Sequence, residues 1–155
     1  STRMRMTYLV LARLVAILVV VQAMTMVLAI AGFFHWIDGG GTADAALLKG
    51  DDLPEFTGSV GFMIHGISGT LIIPIVALLL LIASFFAKVP RGVVFALVVV
   101  VSVAVQVFAG IAAHDAPYVG IVHGLNAFIL FGAALAAGQA ASKAGKAQAV
   151  PAPAA

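Results

Sequence analysis

The stretch VGFMIHGISGTLIIPIVALLLLIASFFAK, residues 60–88, decides the fold class. From Phe62 to Ala87 it holds no Asp, Glu, Lys or Arg, and one histidine, His65. The hydrocarbon core of a bilayer is about 30 Å thick and takes about 20 apolar residues at about 1.5 Å of helical rise each. Residues 62–87 meet that length, as do residues 14–34, 93–113 and 119–138. Composition agrees, with 63% hydrophobic and 9% charged residues, where a soluble domain carries roughly a quarter charged. The expectation is an all-α integral membrane protein. Its helices should cover about 8–34, 59–87, 92–113 and 118–138, within one domain of residues 1–138. The first run is too long for the apolar region of a signal peptide and is read as a membrane helix.

Charge sorting sets the expected orientation, because Lys and Arg collect on the cytoplasmic side of short loops. Arg3, Arg5 and Arg13 open the first helix, Lys88 and Arg91 join the second to the third, and Lys143 and Lys146 follow the fourth. Lys49 lies on the other side with all six acids: Asp38, Asp44, Asp51, Asp52, Glu55 and Asp115. Four spans sorted in this way place both termini in the cytoplasm of a cell whose inner or plasma membrane holds the chain. The basic pI near 9.3 does not indicate a nucleic-acid partner, because the basic residues are sorted by membrane side. The partner it implies is the lipid bilayer.

Short connections favour antiparallel neighbours, giving an up-down-up-down four-helix bundle. Residues 139–155 are Ala-rich with two lysines and two prolines, a composition that reads as a disordered cytoplasmic tail. In the loop 38–59, Thr42 is placed to cap a short helix ending near Leu48, before Gly50. The loop's length suits a cover over the mouth between the first two helices. Its acids read as solvated rather than as a cation site. Pro74 should disturb the second helix by freeing the carbonyl of Thr70.

A second stretch, VGIVHGLNA at residues 119–127, repeats the start of the first: a V-G pair, then a histidine followed by glycine. The preceding helices match too, with VVVQAM around Gln22 and VAVQVF around Gln106. The chain therefore reads as two similar helical hairpins related by an axis along the membrane normal. That symmetry makes His65 and His123 equivalent. They lie 23 and 20 residues before Lys88 and Lys143, hence level, roughly 30 Å above the inner face at about 1.5 Å per residue.

Ionisable groups inside membrane helices mark functional sites. The plain alternative is a neutral histidine bonded across helices. Two level, symmetry-related histidines favour axial ligation of one non-covalent haem b from opposite faces, each ligating nitrogen deprotonated and the other donating to Ser68, Asn126 or a carbonyl. There are no cysteines, which excludes thiolate metal sites, iron–sulfur clusters and covalent haem attachment. Small residues beside each histidine would admit a porphyrin: Gly61 and Gly69 around His65, Gly120 and Ala127 around His123, with Gly66 and Gly124 on the flanks. Plain helix packing is the competing reading for each of them. His35 and His114 stand at the outer helix ends near Trp36 and Tyr118, either as an interface belt or as donors to haem propionates. Gln22 and Gln106 read as interhelical amides, with contact to a porphyrin or a quinone as the alternative.

The segment AVQVFAGIAAHDAPYVGIVHGLNAFILF, residues 104–131, is similar to the third-to-fourth-helix region of haem A synthase. Over residues 13–138 the pattern resembles one half of that family's two-bundle fold, in which each half carries a histidine on its second helix and another on its fourth. The resemblance implies a half-bundle that holds haem. Two departures argue against synthase activity: Gly66 and Gly124 follow the histidines where the family has an arginine after at least one, and no acid lies in the preceding helical turns. No acid, base or nucleophile other than histidine lies within the membrane runs, so an enzyme is the lesser expectation. The favoured reading is a haem protein for electron transfer or haem holding. The alternative is an accessory subunit of a larger respiratory membrane complex, with or without haem.

Overall fold

A computed structural model describes residues 1–44 and 54–149 of the chain. Among these residues it is all-helical, and four helices are long and apolar enough to cross a membrane. They are α1 (Thr2–Asp38), α2 (Val60–Ala87), α3 (Gly92–Ala112) and α4 (Val119–Ala149). Consecutive helices pack together and α1 also packs on α4, so each helix has two neighbours in a closed ring. The surface is inverted relative to a soluble protein. Phe108 and Phe128 are 73% and 78% exposed, while the buried positions are mainly small: Ala12, Ala77, Ala83, Ala96, Ala134 and Ala137. Without water to drive large side chains inward, small residues let helix backbones approach and leave bulk for the lipid. The protein is a multi-pass membrane protein.

One end of the bundle is tied tightly. Ser1 caps α1 by accepting from the Met4 amide at 3.3 Å. The buried Tyr8 hydroxyl donates to the Gly92 carbonyl at 2.9 Å, fixing α1 against the start of α3. The α2–α3 turn uses left-handed Lys88 (φ 54) and Arg91 (φ 56) around Pro90, with buried Val89 as its anchor. Non-glycine residues in that conformation cost on the order of 1 kcal/mol each, offset here by Val89 and by the Gly92 amide bonding the Val89 carbonyl at 2.9 Å.

The helices differ in extent from the sequence expectation. Helix α1 starts six residues earlier than residue 8 and ends at Asp38. The fourth helix does not stop at Gly138, and the expected disordered tail is helical as far as Ala149. Buried Ala141 and Ala144 explain the correction, because this extension packs on the first turns of α1. Residues 150–155 and the short helix anticipated after Thr42, which falls in residues 45–53, lie outside the described residues.

Pro74 acts through hydrogen-bond register. Residues Ser68–Ile72 form a π-helical turn, and the Ile73 amide donates to the Ser68 carbonyl five residues back. A proline cannot donate to its i−4 carbonyl and crowds it; a widened turn just before it relieves both problems. Such π turns recur beside functional sites, and this one begins three residues after His65.

The described end of the 38–59 loop returns along α1. Phe56 lies over Trp36 (ring centroids 6.0 Å apart, 26° between planes) and against Phe33 at 5.8 Å. Gly58, at φ +94, crosses close over Leu28.

Candidate functional site

The apolar core fills the half of the bundle that contains Tyr8, Leu80, Val99 and Ala137, and it ends at a polar layer. Ser68, Ser102 and Asn126 are the buried polar residues of that layer, with Gln22 and Gln106 half-buried beside them. His65 and His123, both half-buried, stand one turn further from the core.

Two matching triads build this region. In the first, His65 Nδ1 lies 3.2 Å from the backbone oxygen of Gln22 on α1. The Gln22 amide donates to the Ser68 hydroxyl and, at 3.2 Å, to the His65 carbonyl. Ser68 in turn donates to the Ile64 carbonyl. In the second, His123 Nδ1 lies 2.9 Å from the backbone oxygen of Gln106 on α3. Asn126 donates to the Gln106 side-chain oxygen at 2.7 Å and to the Ser102 carbonyl at 2.7 Å. Ser68 and Asn126 each stand three residues after their histidine, so each glutamine grips one helical face at the same two positions.

These contacts settle the tautomer. A carbonyl oxygen only accepts, so Nδ1 must carry the proton in both rings, and in the neutral imidazole Nε2 is left with its lone pair. The two rings face each other across the bundle with centroids 6.2 Å apart and planes at 58°. Metal–imidazole bonds run near 2.0 Å and a ring nitrogen sits about 1.1 Å from its ring centre, so two imidazoles on opposite sides of one metal would stand about 6.2 Å apart.

No protein-family model, curated protein or solved structure matches this chain.

The other sequence candidates fall elsewhere. His35 and His114 are exposed at the helix ends. Among the described residues no three of His, Cys, Asp and Glu gather where a metal ion could be held, so the four histidines do not make one centre. Gly61 and Gly69 are close-approach positions between α2 and α1: a Cβ at Gly61 would run into the Thr25 carbonyl oxygen, and one at Gly69 would meet the Gln22 side-chain oxygen at 3.1 Å. Gly120 has only the Ala113 methyl nearby, at 3.8 Å, while a Cβ at Gly66 or Gly124 would meet nothing within 4 Å. Ala127 is half-buried. Of the partners considered for the second ring nitrogen, the structure has carbonyls, those of Gln22 and Gln106, while Ser68 and Asn126 act one step removed through the glutamines.

Sequence reasoning missed Gly110. A Cβ there would stand 3.0 Å from both Cε1 and Nδ1 of His123, so this glycine makes the space in which the ring rests. The signal was present as the Q-V-x-x-G spacing, which puts Gly110 one turn after Gln106 on the same face.

Proposed function

We propose that the chain holds one haem b, bound non-covalently near the outer face of the cell's inner or plasma membrane, with His65 and His123 as axial ligands. In this reading it is an up-down-up-down bundle with both termini cytoplasmic, and it serves electron transfer or haem holding. The observation that carries the proposal is the facing pair of Nδ1-anchored imidazoles, 6.2 Å between centroids. A metal bound by protein alone needs three or four ligands; the described residues supply two here. A porphyrin would bring nitrogen ligands of its own, so His65 and His123 would suffice to hold its iron.

When bound, the haem would supply a one-electron iron couple. The chain's own residues do the rest. The Gln22 and Gln106 carbonyls hold Nδ1–H, which fixes each ring and leaves the Nε2 lone pair of the neutral imidazole to face a ligand. The side-chain amides lock α1 to α2 and α3 to α4 at the ligand level. The apolar core beneath the polar layer keeps water and ions from crossing. His35 and His114 stand where ionised propionates would meet water, since carboxylates are expensive in hydrocarbon. The resemblance to half of haem A synthase favours the same scaffold, and Gly66 and Gly124 after the ligands favour holding haem over synthesis. Orientation rests on the sorting of seven of the eight Lys and Arg residues away from all six acids.

A reduced-minus-oxidised spectrum of the full chain, expressed with haem precursor, tests the proposal. Wild type should give a low-spin bis-imidazole signal. His65→Ala or His123→Ala should abolish it, whereas His35→Ala or His114→Ala should retain it with a shifted midpoint potential. Low-spin haem unchanged in both ligand variants, or a wild type that takes up no haem, overturns the reading in favour of an accessory subunit.

A further inference from the structure

The two histidine helices differ by one residue. Ser68 and Asn126 each stand three residues after their histidine, but the buried residues that follow do not keep step. Leu130, Ala134 and Ala137 lie 7, 11 and 14 residues after His123, whereas Ile73, Ala77 and Leu80 lie 8, 12 and 15 after His65. The extra residue is taken up by the π turn Ser68–Ile72, whose bonds span five residues where an α-helix spans four. Helix α4 reaches the same core face without such a turn. The insertion is therefore not needed to aim His65 or to bury the core.

What the turn does is weaken α2 beside the histidine. The Ile73 amide goes to Ser68 rather than Gly69, and Pro74 has no amide to give Thr70. Two successive carbonyls thus lose their helical donors, at the kind of position where helices bend. Packing changes at the same place. Among the described residues Ile73–Ala87 packs on both α1 and α3, whereas Val60–Ile67 packs along α1. The pivot is held, because the Gln22 amide grips the Ser68 hydroxyl at the first residue of the turn. Beyond the pivot the hold is slacker. Both polar contacts between His65 and Gln22 are 3.2 Å long, at the long end of N–H···O bonds. His123 is held at 2.9 Å on an unbroken helix, in the space left by Gly110.

We propose that His65 is the releasable member of the pair: Val60–Ile67 swings about the π turn, carries His65 away from a fixed His123 and opens the space between them to a planar ligand. The swing is a property of the chain without haem. That it admits haem rests on the reading above.

Deleting Leu71 together with Pro74→Ala removes the turn and little else. Leu71 is exposed. Once it is gone, the Ile73 amide still meets Ser68, now four residues back, Pro74→Ala supplies Gly69 with a donor, and the buried positions come into step with α4. In the haem-free wild type in nanodiscs, nitrogen relaxation dispersion should show the amides of Val60–Ile67 and the ring of His65 exchanging together, on the microsecond-to-millisecond scale of such motions. The His123 ring and the amides of Val76–Ala87 should stay flat. The deletion variant should lose the dispersion of Val60–Ile67. Circular dichroism checks its fold, and if it does not fold, the wild-type pattern decides alone. Supplied with haem, the variant should load at least about tenfold more slowly, because the open state is a minor one, and reach the same low-spin spectrum. Flat dispersion across Val60–Ile67, equal dispersion at both rings, or dispersion that survives the deletion overturns the swing. Equal loading rates overturn its role as the entry. A wild type that shows the dispersion but takes up no haem keeps the swing and overturns the haem reading.

Discussion

Gly110→Ala adds one methyl group against the ring of His123 and alters no polar group. The new Cβ would lie 3.0 Å from Cε1 and Nδ1, where relaxed contacts between such atoms are about 3.5–4.0 Å, so the ring must withdraw by about 0.5 Å. His123 Nδ1 is 2.9 Å from the Gln106 carbonyl, and N–H···O bonds end near about 3.2 Å, so that withdrawal breaks the bond unless α3 and α4 separate. Losing the bond costs about 1 kcal/mol, and spreading the helices about 1–3 kcal/mol. The better helix propensity of alanine returns up to about 1 kcal/mol. The net expectation is a destabilisation of about 1–2 kcal/mol. It should be accompanied by a change in the ¹⁵N resonances of the His123 ring from a fixed Nδ1–H tautomer toward a mixture, with those of His65 unchanged. Thermal unfolding and nitrogen NMR in nanodiscs read the two effects separately. Gly66→Ala and Gly124→Ala are the controls, since their new methyls meet nothing within 4 Å and should leave both readouts near wild type. If Gly110→Ala behaves like these controls, the reasoning that this glycine seats the ring is wrong.

Three further outcomes follow from named contacts. Asn126→Ala strips the Gln106 side-chain oxygen of its donor and should cost about 1–2 kcal/mol, the upper range for interhelical bonds in membranes. Ser68→Ala should cost less in the same unfolding assay, because Gln22 keeps the His65 carbonyl as an acceptor. Tyr8→Phe removes the buried bond to Gly92 and should lower stability by about 1 kcal/mol, with no effect on a haem spectrum; a spectral change would mean the two ends of the bundle are coupled. Cysteines placed at Asp115 and Gln148 should label from outside and only after permeabilisation, respectively, and external labelling at Gln148 reverses the proposed orientation.

The membrane class was legible in the sequence because it depends on length and composition alone: a run such as residues 62–87 has no stable place outside a bilayer or a much larger core. The equivalence of His65 and His123 was legible for a similar reason, since a repeat is a property of the string. What the string does not carry is which atom takes each imidazole proton. Those acceptors lie 43 and 17 residues away and are backbone oxygens, which every residue possesses, so only the packing of α2 on α1 and of α4 on α3 selects them. The neighbouring glycines look alike in sequence but differ in three dimensions: Gly61 and Gly69 face α1, Gly110 faces a ring, and Gly66 and Gly124 face open space. Hydropathy also ended the fourth helix too early. Ala141 and Ala144 bury against α1 with little apolar signal of their own, and their helix persists through packing, which outweighs local composition when small residues bring two backbones close.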